Sequence, residues 1–411
     1  MRRLQATFEI VTPMFLGGAD PAKAEALFRL ASLRGVLRWW WRALHYPNFY
    51  AAAQVATRRR EAALQELHKA EVRLFGSSED GQGAVLMRLE KVENLEMVKP
   101  KTKLMNGKRI VGPGACYLAG QGTFGKEAGV ITRSCLQKDQ SLIISLMVKE
   151  KAERWEVDSL VRALKILGLL GGIGSRSRRG WGSVRLVELT AAGFAAEDPA
   201  VSFVPPSSRE EYEQSIAGLF ADIPYAQAEP LPPFTAFGPG SRIDVLREGE
   251  NSLALLDKVG KEMQRYRSWG HHKVVNGEPI EKNFKDDHDW SKGKPLSSDY
   301  VPRRTVFGLP HNYGKGASVK PAGKLDRRAS PLLLHIHKLK DNLHIAVSVR
   351  LPAEFLPNDD QVETLKDKHP GPKPAKIDWR VLDTFIDGKG PHSEPSTKQK
   401  SYFPDKSAVL P

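Results

Sequence analysis

Residues 157–189 read VDSLVRALKILGLLGGIGSRSRRGWGSVRLVEL. Leu160, Leu164, Leu167 and Leu170 recur at three- and four-residue spacing, which predicts a helix with one buried face, and WGSVRLVEL has strand character. The stretch between them, GLLGGIGSRSRRGWGSV (168–184), holds six glycines and three arginines. A P-loop or a dinucleotide fingerprint needs a strand before its glycines and a helix after them. Here the order is reversed, so no helix N-terminus follows to hold a pyrophosphate, and no nucleotide cofactor is expected. Two readings remain open. Gly174, Ser175, Arg176, Ser177, Arg178 and Arg179 suit close backbone approach to an extended phosphodiester chain; the alternative is a helix C-cap with a solvated basic loop.

Working outward, RRLQATFEI alternates Leu4, Ala6, Phe8 and Ile10 with polar residues, the pattern of a half-buried strand. In SLRGVLRWWWRAL, Leu33, Val36, Leu37, Trp40 and Leu44 form one helical stripe, and Arg34, Arg38 and Arg42 a second, basic one. Ser32 is placed to cap this helix and leave free amides beside Arg34. A further helix is expected around RRREAALQELHKAEVRLFG, a strand in AVLMRLEKVE, an inserted hairpin or loop over 98–138, and a strand in QSLIISLMVKE. Strand, helix, strand, strand, helix, strand is the ferredoxin-like (βαββαβ) order, an α+β fold. Pro, Ala and acidic residues over 191–232 read as a linker. Beyond it come a strand near FTAFG, a helix in NSLALLDKVGKEMQRYRS, a polar loop over 268–330, a hairpin in PLLLHIHKLKDNLHIAVSVRL turning at Lys340–Asn342, and a last helix near DWRVLDTFI. These are expected to form a second, divergent ferredoxin-like domain over 233–411, after a first over 1–190.

Residues 1–190 hold 31 Lys+Arg and 18 Asp+Glu, net +13, out of a total of +14. The excess charge thus lies in the half that carries the arginine–glycine loop, the electrostatic footprint of a nucleic-acid partner. No run of about 18 apolar residues is present, and MRRLQATFEI lacks a signal-peptide core. The expectation is a cytoplasmic protein without a membrane partner. Cys116 and Cys135, far apart and without a CxxC partner, are expected to be free thiols and not metal ligands.

TPMFLGGADP, SLRGVLRWWWRAL, GGIGSRSRRGWGSV and RRASPLLLHI, in this order, resemble the RAMP superfamily of CRISPR-associated proteins and, more narrowly, its first-numbered subunit family of the Cmr, or type III-B, effector complex. The resemblance implies two ferredoxin-like domains and a non-catalytic subunit whose partners are guide (CRISPR) RNA, target RNA and other Cmr subunits, holding the guide's 3′ region where guide and target pair. On this reading the RNA-binding candidates are Ser32, Arg34, Arg38 and Gly174 through Arg179, with Arg303, Arg304, Arg327 and Arg328 in the second half.

Other constellations compete. RRGWGSVRL is similar to the RNP motif of RNA-recognition domains at Arg179, Gly180, Trp181, Gly182 and Val184, but Ser183 and Leu186 replace its aromatics, so backbone contact is expected rather than base stacking. Trp39 lies off the apolar stripe and suits partner-subunit packing first and base stacking second. His45, just past the arginine helix, is the alternative general base, as in RAMP relatives that process guide RNA without metal; a helix-end capping role competes. Asp286, Asp287, His288 and Asp289, with His271 and His272 nearby, read as a solvated loop cluster and not a metal site. His335 and His337 share one strand face, as surface or interface residues.

Overall fold

The computed structural model describes residues 2–17, 28–91, 95–120, 122–194, 201–268, 274–275, 278–279, 283–294, 296–314, 316–357, 361–365, 371–388 and 402–410. The expected alternation in the first strand holds. β1 (Arg2–Ile10) buries Leu4, Ala6, Phe8 and Ile10 on one face. It lies between β3 (Ser141–Val148) and β4 (Val184–Ala192), and β2 (Val85–Lys91) pairs with β3, so the first sheet runs β2-β3-β1-β4, antiparallel throughout. α1 (Leu30–Ala52) and α4 (Arg154–Leu170) lie on its apolar face. They present Leu33, Leu37, Trp40 and Leu44 from α1 and Leu160, Leu164 and Leu167 from α4, all buried. Fully burying each leucine contributes roughly 1.5–3 kcal/mol. α2 (Arg59–Phe75) packs beside α1.

The second half repeats the order. β5 (Arg242–Gly249), α6 (Ser252–Arg267), β6 (Leu332–Lys340), β7 (Leu343–Arg350), α8 (Arg380–Asp387) and β8 (Ser407–Leu410) form a sheet running β6-β7-β5-β8. In both sheets the spatial order of the strands is second, third, first, fourth. Asn251 caps α6 through its side chain, and the β6–β7 turn places Asn342 at φ +60, as the Lys340–Asn342 reading requires. The strand expected near FTAFG instead begins at Arg242, and Phe237 N donates to the Ala43 carbonyl of α1.

Apolar clusters cross between the two halves; in the largest, Leu4, Leu164 and Val184 are continuous with Ile243, Val347 and Leu410. The 98–138 insertion contributes α3 (Pro113–Ala119), which crosses α6 so closely that a Cβ on Gly260 would lie 2.0 Å from the Gly114 carbonyl. Asp257 of α6 accepts from Gly114 N at 2.7 Å, supplying the cap that α3 lacks. Within the stretch read as linker, α5 (Arg209–Phe220) buries Tyr212, Ile216 and Phe220, and Tyr212 donates to the Leu169 carbonyl at 2.6 Å. Among the described residues no helix is long and apolar enough to cross a membrane.

Candidate nucleic-acid interface

The arginine–glycine loop joins α4 to β4, an edge strand, and its glycines answer mainly to their own fold. Gly174, Gly180 and Gly182 have φ of +94, +79 and +63, the left-handed region. A Cβ on Gly174 would lie 2.5 Å from the Phe15 carbonyl, and one on Gly182 would lie 2.1 Å from that of Ile173. Ser175 N donates to the Phe15 carbonyl at 2.7 Å and Gly182 N to that of Pro13 at 3.0 Å, which pins the loop against the TPMF segment. The close approach at Gly174 is made by this chain's own backbone.

The three arginines part company. Arg176 is exposed at φ +65. Partial burial and then the like charges of Arg133 and Arg327 lower its pKa. A non-glycine residue in this region costs about 1 kcal/mol, so the side chain is held there against its backbone preference. Arg178 folds over Trp39, guanidinium carbon 4.8 Å from the ring centroid, and donates to the Ser330 carbonyl at 3.2 Å. Arg179 points inward to Met263 Sδ and the Phe307 carbonyl, each at 3.4 Å. Burial takes both of these pKa values down to about 10, leaving them charged at neutral pH. Arg179 is thus an internal strut, and Trp181 of the RNP-like stretch is fully buried and donates to the Ala115 carbonyl.

α1 begins at Leu30, with Arg29 at its N-cap and no side-chain cap, because Leu30 extends the apolar stripe one turn earlier. Ser32 is therefore inside the helix and caps nothing, which corrects that assignment. The first turn carries no acidic residue, and Arg29 donates to the Gly17 carbonyl. Arg34 has no ion pair among the described residues. Arg38 and Arg42 do, with the buried Glu71 of α2 at 2.6 and 3.1 Å, so one carboxylate offsets part of the three-arginine stripe. Two hollows flank this helix start. One, about 280 Å³, lies between α1 and the loop, with Gly35, Trp39, Gly172 and Arg178 in its wall. The other, about 680 Å³, is an open groove between Arg34, Arg38 and the Gly76–Gly81 turn.

Of the second-half arginines Arg327 is exposed, while the others are engaged within the chain. Arg304 Nε donates to Asp287 Oδ2 at 2.9 Å and lies over Tyr313 and Phe284. Arg303 donates to Asp287 through its backbone N, and its guanidinium lies 3.9 Å from Asp378 Oδ2. Arg328 reaches Thr235 and the Glu354 carbonyl. FKDDHDW is not a solvated loop: it forms α7 (Lys285–Ser291), with Asp287 fully buried and Asp289 paired with Lys285 and Lys294. Among the described residues no three His, Cys, Asp or Glu side chains gather as a metal ligand set; His271 and His272 lie outside those residues.

His45 is not beyond the helix. α1 continues through Pro47 to Ala52, and both residues are buried. Burial first, and then Arg162, hold the His45 pKa down to about 4, and its Nε2 has no hydrogen-bond partner among the described residues. His335 and His337 are likewise buried, 3.4 Å apart, and not on the surface. Sequence reasoning missed Arg29, Arg133 and Gly35. Only Gly35 carried a signal, as a glycine inside a helical pattern.

Comparison with known proteins bears on this arrangement. Residues 7–185 match the model of the RAMP superfamily. No curated protein matches the chain. Among solved structures, Cmr1 from Pyrococcus furiosus in its apo form is 18% identical, with a TM-score of 0.55 over 100% of this chain and 99% of that one. A chain of the type III-B Cmr-beta complex bound to cognate target RNA is 12% identical, with a TM-score of 0.50 over 94% of this chain and 98% of the other. At these identities the likeness is one of fold, and it extends over both halves.

Proposed function

We propose, from the match of residues 7–185 to the RAMP superfamily model, that the protein is a non-catalytic RNA-binding subunit of a type III-B (Cmr) CRISPR effector complex, working in the cytoplasm with guide RNA, target RNA and other Cmr subunits. Its two halves, 1–190 and 233–411, are then ferredoxin-like domains joined through 191–232, a reading supported by their common strand order. The full-length likeness of fold to Cmr1, and to a chain from a complex holding cognate target RNA, supports the assembly.

One observation carries the RNA reading. Arg176 is exposed in a backbone region that disfavours it, beside the like charges of Arg133 and Arg327, at the loop that faces the acid-free start of α1. Clustering cations destabilises the free protein, and phosphates relieve that repulsion. RNA-binding residues on this reading are Arg34, Arg176 and Arg327, with Ser32, Ser175, Ser177 and Arg178 beside them; Arg38 contributes through what Glu71 leaves of its charge. The endonuclease alternative is not favoured, since the imidazole it needs as a base is in the core.

The test is a salt titration of binding to guide RNA and to a guide–target duplex. Arg176→Ala is expected to weaken binding to all sequences alike and to lower the magnitude of the log–log slope by up to about 0.7. A protein that binds neither RNA at low salt overturns the proposal.

A further inference from the structure

Gly35 lies in the second turn of a 23-residue helix, and a Cβ built on it meets no atom within 4 Å. A glycine there destabilises a helix relative to alanine, and unlike Gly260 or Gly182 it makes room for nothing in this chain. It opens onto the hollow of about 280 Å³ whose wall includes the backbone of Gly171 and Gly172, the indole of Trp39, and Ser177 and Arg178. That volume is near the roughly 300 Å³ lower end of small-molecule sites, too small for a helix or a stacked pair of bases. An aromatic ring, a planar guanidinium over it, and a hydroxyl and peptide groups at the edge are what a nucleobase uses: faces to stack on and edges to bond.

We propose that the hollow between Gly35, Trp39, Arg178 and the Gly171–Gly172 backbone receives one unstacked nucleobase of the RNA strand that runs past Arg176. The inference rests on the RNA-binding reading above. The Arg178 guanidinium in the wall, with no acidic residue among the lining residues, favours this occupant over a side chain from a neighbouring subunit, which would need neither.

The experiment compares a short single-stranded RNA with a base-free ribose-phosphate chain of equal length and charge, binding the full-length protein. The protein as it stands is expected to prefer the RNA by roughly 5- to 150-fold, the contribution of one stacked base. Gly35→Leu is expected to abolish that preference, to keep both the affinity for the base-free chain and the salt slope, and to melt no lower than the parent, since it fills open space and removes a helix glycine. Trp39→Ala is expected to lose the preference as well, and Trp39→Phe to keep most of it. If the unaltered protein binds both chains equally, the hollow takes no base: the phosphate contacts stand, and the site is left to a partner's side chain. A preference that survives both Gly35→Leu and Trp39→Ala also overturns the proposal. If neither chain binds at all, the RNA reading itself has failed.

Discussion

Arg304→Ala separates an arginine that holds the fold from one that holds RNA. Asp287 is fully buried and accepts from Tyr300 Oη and Arg303 N at 2.8 Å, Arg304 Nε at 2.9 Å, Arg304 N at 3.0 Å and Tyr313 Oη at 3.3 Å. The Arg304 guanidinium supplies the countercharge. It also donates to the Arg267 carbonyl at 2.8 Å, and its guanidinium carbon lies 4.6 Å from the Tyr313 ring centroid. Its side chain is only 14% exposed, so solvent screens little of the pair. Removing one partner of a buried pair costs about 3–5 kcal/mol, chiefly because the other charge stays buried without compensation. Chemical denaturation, with hydrogen exchange at the Arg303–Phe307 amides, measures that loss. The double change with Asp287→Ala is expected to cost clearly less than the sum of the single ones, because neither charge is then left alone. The salt slope of RNA binding is expected to stay as it was. Unchanged stability in Arg304→Ala together with a flatter salt slope would refute the reasoning and place this side chain on RNA.

The loop offers a complementary set. Gly174→Val, at φ +94 and facing the Phe15 carbonyl, is expected to lower the melting temperature in circular dichroism as well as RNA binding; full stability with lost binding would restore direct RNA approach at that residue. Replacing Arg176, Arg178 and Arg179 together by alanine is expected to change the salt slope by less than the three-contact value of about 2 and to destabilise the fold, since Arg179 is an internal strut. His45 ionises at about 4 in the fold against 6.5 in a free side chain, so the unfolded chain binds the extra proton between those values. Its contribution is intact above pH 6.5 and is lost as pH falls towards 4. His45→Leu is expected to flatten the pH dependence of denaturation in that window by up to about 1.4 kcal/mol per pH unit, while leaving RNA binding intact.

What local pattern dictates was legible in the chain. Period-two burial in RRLQATFEI and the 3.6-residue stripes of SLRGVLRWWWRAL and VDSLVRALKILGLL yield β1, α1 and α4 without reference to anything distant. Helix-before-strand order around the glycines excluded a nucleotide loop for the same reason. The partners of the charges were not legible, because they come from far along the chain. Arg38 meets Glu71 from α2, Arg179 meets Met263 and Phe307 from the other half, and Asp287 gathers Arg303, Arg304 and two tyrosines. An arginine reads identically in sequence whether its countercharge is a buried carboxylate or an absent phosphate. Only packing decides, since desolvation compels a buried guanidinium to find a partner within the chain, whereas the exposed one of Arg176 is under no such compulsion.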